Sequence, residues 1–284
     1  MKKFIYLVVS LVALSACTFN KNTTHSKSDS SKEKFGVFLG ASDANVEKIS
    51  KYQKVMIDID EFSEQSIKYL KDNNVEIYAY LSVGSLEKYR PYYEEFKDYT
   101  FMDYENWPDE RWIDVSEPKW ISHLNSEATR FQNLGAKGLF MDNFDVYYIV
   151  MEEYECANSF KQKIYNACQT ILRNFDDLGL ELVINSGTDL LERLKDESSP
   201  SWEKIDVYCQ ECVFSKIEDY ERDIFSKQDE ETQSYYLSIT SFMKECADIL
   251  FLEYTIDEEL IKEVDQYCKK NNFYYYVSST IELK

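Results

Sequence analysis

The run "AKGLFMDN" at residues 136–143 decides how the chain folds: an apolar stretch through Leu139, Phe140 and Met141 ends on an acid, Asp142, where a strand would meet its loop. An ionised carboxylate at the edge of an apolar core costs free energy unless it is paired, hydrogen-bonded or put to chemical use. Seven further short apolar runs share this layout: "FGVFLGA" from Phe35, "KVMIDID" from Lys54, "EIYAYLSVGS" from Glu76, "LELVINSG" from Leu180, "IDVYCQECV" from Ile205, "ADILFLEY" from Ala247 and "NFYYYVSS" from Asn272. Amphipathic segments such as "SEPKWISHLNSEATRFQNLG" lie between them, opened by capping residues and several closed by Gly or Asn. Parallel neighbours require crossover connections, so eight strands alternating with helices read as a parallel barrel. A doubly wound open sheet is the fallback, but no glycine-rich phosphate loop follows the first strand. The expectation is an α/β chain whose residues 35–284 form one (β/α)8 barrel.

Alternation sorts the strand faces. One set, including Leu139 and Met141, Leu182 and Ile184, and Leu250 and Leu252, is greasy throughout and suits an outer ring of helices. The other set collects polar and acidic residues towards the strand ends: Asp58; Tyr80 and Ser82; Phe140 and Asp142; Asn185; Cys209 and Glu211; Phe251 and Glu253. Those ends are where barrel enzymes keep their active sites.

Residues 1–16 give two lysines, an apolar run too short for a permanent bilayer span, and small residues, which is the layout of a signal peptide. Leu14-Ser15-Ala16-Cys17 resembles a bacterial lipobox, which implies cleavage before Cys17 and lipid attachment to its sulfur. Residues 17–34, rich in Ser, Thr, Lys and Asn, read as a flexible tether. The expected object is a globular domain anchored by lipid on the extracellular face of the cell membrane.

Formal net charge is −20; six basic and two acidic residues fall in the first 34, so the domain carries 26 basic and 50 acidic residues and a charge of −24. That excess repels phosphate backbones, argues against nucleic acid as a partner, and favours neutral or cationic ligands. Six cysteines lie beyond Cys17, but Cys209 and Cys212 lack the second Cys/His pair of a zinc site. Having only His25 and His123 argues against His-based triads and His-rich metal sites, and there is no nucleophile elbow or phosphate loop. What remains is carboxylates: Asp58, Asp60, Asp142, Glu211 and Glu253, with Asp145 just past a strand. Paired acids across a cleft, one ionised and one protonated, are what glycosidic bond cleavage requires. Asp60 and Asp145 read as helix caps as readily as reactive groups, and carboxylates alone also suit Mg²⁺ or Ca²⁺. The segment "RPYYEEFKDYTFMDYENWPDERW" from Arg90 is dense enough in rings to form a sugar-stacking wall.

Five blocks in order carry a resemblance: "YLSVGSLEKYRPYYEEF", "WPDERWIDV", "AKGLFMDNFDVY", "CQECVF" and "FLEY". Together they resemble the endo-α-1,4-polygalactosaminidase family of barrel glycoside hydrolases, glycoside hydrolase family 114, over nearly the whole domain. The resemblance implies a barrel enzyme that cleaves α-linked galactosamine-containing exopolysaccharide without a cofactor or metal. It implies Asp142 as nucleophile or stabilising carboxylate, Glu211 as general acid/base, and Asp58, Tyr80, Arg90, Asn143, Asn185 and Glu253 as groove residues. A non-catalytic carbohydrate-binding lipoprotein on the same barrel is the alternative, because a fold does not fix a function. Val213 to Asp248 departs from the family's shorter connection between the strand bearing Glu211 and the next.

Overall fold

The computed structural model describes residues 33–105 and 107–284. The leader, Cys17 and the tether up to residue 32 lie outside the described residues. Eight parallel strands form the barrel in sequence order: β1 (Glu33–Phe38), β2 (Tyr52–Ile57), β3 (Glu76–Ser82), β4 (Gly138–Asp142), β5 (Glu181–Asn185), β6 (Val207–Glu211), β7 (Asp248–Tyr254) and β8 (Tyr274–Ser278). Each neighbouring pair from β1 to β8 is hydrogen-bonded in parallel register, for example Ser82 opposite Asp142 and Asn185 opposite Cys209. The seam between β8 and β1 is closed by rings, Phe35 on Tyr274 at 4.6 Å and Phe38 on Tyr276 at 5.3 Å. The (β/α)8 barrel expected from the alternation is the fold observed.

Helices follow the strands: α1 (Val46–Ile49), a single turn, then α2 (Glu64–Asp72), α3 (Pro118–Leu134), α4 (Asn158–Asp177), α5 (Thr188–Asp196), α6 (Glu230–Met243) and α7 (Glu258–Asn271). Their boundaries follow local chemistry. Ser63, Asp229 and Asp257 accept hydrogen bonds from the first-turn N–H groups of α2, α6 and α7, and α3 stops at Gly135 with φ at +112°. Leu139, Met141, Leu182 and Ile184 are fully buried.

The first strand begins earlier than expected. Glu33 and Lys34, assigned above to the tether, join β1, because the Glu33 N–H bonds the Lys51 carbonyl at 3.1 Å and the ladder needs no apolar side chain at its exposed end. Two excursions rise from the C-terminal rim. After β3, the strands Ser85–Glu87, Thr100–Asp103 and Glu110–Ile113 form a small antiparallel sheet; after β6, Ser215–Asp219 and Ile224–Lys227 form a hairpin. The expected single run from Glu76 to Ser85 is thus broken at Gly84, where a Cβ would sit 1.9 Å from the Asn143 carbonyl oxygen.

Candidate active site

Three adjacent strands end on the three residues at the centre of the rim: β4 on Asp142, β5 on Asn185 and β6 on Glu211. The next residue in each case has a left-handed backbone, Asn143 at φ +65°, Ser186 at +55° and Cys212 at +56°. Such a conformation costs an L-residue roughly 1–2 kcal/mol. Here it turns the chain away directly after each polar side chain while the strand ladder continues: the N–H groups of Ser186 and Cys212 still bond Cys209 and Leu252 at 2.9 Å.

The Asn185 amide joins the two acids. Its Nδ2 donates to Asp142 Oδ1 at 3.1 Å and to Glu211 Oε1 at 2.6 Å, so these oxygens lie no more than 5.7 Å apart (3.1 plus 2.6). With one amide hydrogen to each, the separation is about 5 Å. Asp142 Oδ1 also accepts the Asn143 N–H at 2.9 Å, and Glu211 Oε2 accepts the Tyr254 hydroxyl at 3.0 Å. Burial pushes both carboxyls up, Asp142 well above the usual range and further through repulsion from Glu211. Two such acids sharing one amide titrate as a coupled pair.

A cavity of about 530 Å³ opens over this pair. Among the described residues seven carboxylates line it, from Asp58 round to Glu282, and no Lys, Arg or His does. Tyr104, which stacks on Trp112 at 4.3 Å, and Trp107, which meets Tyr220 of the hairpin edge-on at 5.7 Å, line it from the excursion after β3. The aromatic wall expected from the segment after Arg90 is therefore present in Tyr104 and Trp107. Chemically the arrangement sets two carboxyl groups on either side of a space that one glycosidic bond could span, in a site that favours neutral or cationic ligands.

The family model for glycoside-hydrolase family GH114 matches residues 16–280. The chain belongs to glycoside-hydrolase family GH114. It is a glycoside hydrolase on a (β/α)8 barrel. No curated protein matches the chain. Among solved structures, the glycoside hydrolase domain of PelA from Pseudomonas aeruginosa is similar, with a TM-score of 0.72 and 17% identity over 88% of this chain and 95% of that one. Aspergillus fumigatus Ega3, solved in complex with galactosamine, gives a TM-score of 0.64 and 14% identity over 89% of this chain and 92% of its own. The α-galactosidase of Thermus thermophilus gives 0.56 and 10% identity over 86% of this chain and 57% of its own. At these identities the likenesses establish the fold alone.

Within this GH114 barrel, Asp58, Tyr80, Asn143 and Asn185 line the cavity together with Asp142 and Glu211. Two expected groove residues do not. Arg90 lies outside the lining, spent on Asp58 Oδ2 at 2.8 Å and on Glu87, with only 9% of its side chain exposed. Glu253 is fully buried on the far side of β7, where it accepts the N–H groups of Val213, Phe214 and Ser215 and the Ser215 hydroxyl. Both faces of β7 are apolar, so alternation had no phase to read. Phe251, expected inside, packs on Phe214, Tyr267 and Phe273 instead, and the residue that reaches Glu211 is Tyr254.

Asp145 caps no helix; it lines the cavity, takes the Gly187 N–H at 3.3 Å, and burial pushes its carboxyl up to about 6. Asp60 pairs with Arg130 at 2.7 Å. Glu110 went unread in the sequence although it stands inside "WPDERW", because nothing in an acidic loop segment says which acid turns inward. Cys156, Cys168, Cys209, Cys212 and Cys268 are free thiols, and among the described residues no His/Cys/Asp/Glu cluster is arranged to hold a metal ion.

Proposed function

We propose that this GH114 hydrolase cleaves α-linked galactosamine-containing polysaccharide with retention of anomeric configuration, Asp142 acting as nucleophile and Glu211 as general acid/base. The observation that carries the reading is the Asn185 amide, which holds the two carboxylates no more than 5.7 Å apart (3.1 plus 2.6). A spacing of about 5–5.5 Å suits direct attack, whereas inversion needs roughly 6.5–9.5 Å to admit a water. Asp142 Oδ1 is held by two N–H donors, and Oδ2 takes no hydrogen bond from any described residue, leaving it for the anomeric carbon. Asp142 attacks that carbon as Glu211 gives its proton to the departing glycosidic oxygen; Glu211 then takes a proton from water, whose oxygen displaces Asp142. The Tyr254 hydroxyl donates to Glu211 Oε2 at 3.0 Å and orients the carboxyl.

Substrate class rests on the family, on the galactosamine bound to Ega3, and on the charge of the cavity. A partly de-N-acetylated galactosamine polymer is cationic, and a cavity lined by acids without bases attracts it. Surface anchoring through Cys17 completes the proposal and places the enzyme beside exopolysaccharide.

Proton NMR of the first product formed from a galactosamine polymer tests the mechanism: the α-anomer should appear first. Asp142→Asn and Glu211→Gln should each abolish turnover, and azide should rescue Asp142→Gly as the β-glycosyl azide. Initial release of the β-anomer would overturn retention, and saccharide binding without turnover in the wild type would establish the non-catalytic alternative. Loss of membrane fractionation in Cys17→Ser tests the anchor.

A further inference from the structure

Glu110 opens the third strand of the excursion after β3, directly opposite Glu87 in the antiparallel ladder. Like charges facing each other across a ladder destabilise it. Glu87 is compensated by Arg90, by Tyr89 at 2.7 Å and by Tyr80 at 3.2 Å. Glu110 receives one hydrogen bond, from the Ser85 hydroxyl, and pairs with no cation among the described residues. Of the other lining acids, Asp58 faces Arg90 and Glu282 faces Lys284, while Asp145 and the central pair are held, among the described residues, by neutral hydrogen-bond donors alone.

Glu110 is also tied to the reacting centre. The Ser85 hydroxyl that it holds accepts from Asn143 Nδ2 at 3.0 Å, and the Asn143 N–H bonds Asp142 Oδ1 at 2.9 Å. A cavity-lining carboxylate without a cation calls for a ligand that carries positive charge and N–H groups, which an ammonium does.

On the functional reading above, we infer that Glu110 receives the C2 ammonium of the galactosamine unit bound over Asp142, and so selects de-N-acetylated units at the bond that is cleaved. An N-acetylated unit brings no charge to this carboxylate and leaves it buried without a counter-ion, which the site resists. Glu110 is thus a specificity-determining residue, separate from the two acids that carry the chemistry. Burial and repulsion from Glu87 push its carboxyl up to about 7, against the pull of Ser85 and Arg90; Asp142 and the phenols of Tyr80 and Tyr104 face it from the barrel and the loop.

Glu110→Gln preserves shape and the bond to Ser85, and it is compared with wild type on one α-1,4-galactosamine oligomer, fully de-N-acetylated or chemically N-acetylated. The wild type should prefer the de-N-acetylated oligomer in kcat/KM, and that preference should shrink as pH falls through about 7, where Glu110 takes up a proton. The variant should lose tenfold or more of the preference and lose its pH dependence. An unchanged preference, or an equal loss on both oligomers, would overturn the role of Glu110 while leaving the functional reading in place. A wild type inert on both oligomers would overturn the functional reading and, with it, this role.

Discussion

Replacing Glu253 by Gln separates a structural acid from a catalytic one. The Glu253 side chain sits fully buried beneath the loop that follows Glu211, with Oε1 accepting Val213 and Phe214 N–H at 3.0 Å each and Oε2 accepting Ser215 N–H at 2.8 Å and its hydroxyl at 2.6 Å. Gln is the same shape, but one oxygen becomes an NH2 group that can accept nothing. Whichever way the amide turns, at least one buried backbone N–H faces another donor. An orphaned buried donor costs about 1–3 kcal/mol, and losing charge on the remaining oxygen weakens the other bonds by about 1 kcal/mol. The expected loss is therefore about 3 kcal/mol, which for a domain of this size lowers Tm by roughly 6–12 °C. Thermal unfolding followed by circular dichroism reads that shift. KM should stay near the wild-type value, since Glu253 is no part of the cavity lining, while kcat falls as Glu211 and Cys212 lose their support. An unchanged Tm together with a raised KM would refute the reasoning and return Glu253 to the substrate.

Tyr254→Phe removes the hydroxyl that holds Glu211 Oε2 and lowers its pKa; the Glu211 pKa should rise, moving the basic limb of the kcat/KM profile to higher pH, and rates should fall about tenfold, both read from initial velocities. Arg90→Met leaves Asp58 and Glu87 buried without their shared cation and should cost roughly 3–5 kcal/mol in denaturant unfolding, whereas Arg130→Met, at a half-exposed pair with Asp60, should cost under about 1 kcal/mol. Gly84→Ala places a methyl group 1.9 Å from the Asn143 carbonyl oxygen, which moves the turn after Asp142; activity should drop by more than tenfold with the barrel still folded by circular dichroism.

The sequence by itself determined the barrel. Eight apolar runs alternating with capped amphipathic segments leave few other ways to bury both faces of a parallel sheet, and all eight runs became strands. It also put Asp142 and Glu211 on the inward side, where both line the cavity, because each is an acid at the C-terminal end of its strand and alternation assigns it a face. Only the tertiary structure decided the phase of β7, where both faces are apolar and a one-residue shift exchanges Glu253 for Tyr254. It likewise decided that Arg90 neutralises two wall carboxylates outside the cavity lining, and that Glu110 and Asp145 turn into the cavity. Asp145 lies in a loop and Glu110 opens a strand of only four residues, so neither has a periodicity long enough to read, and the direction of each is set by what it packs against. Strand ends inherit their direction from the barrel, and those positions were legible from the start.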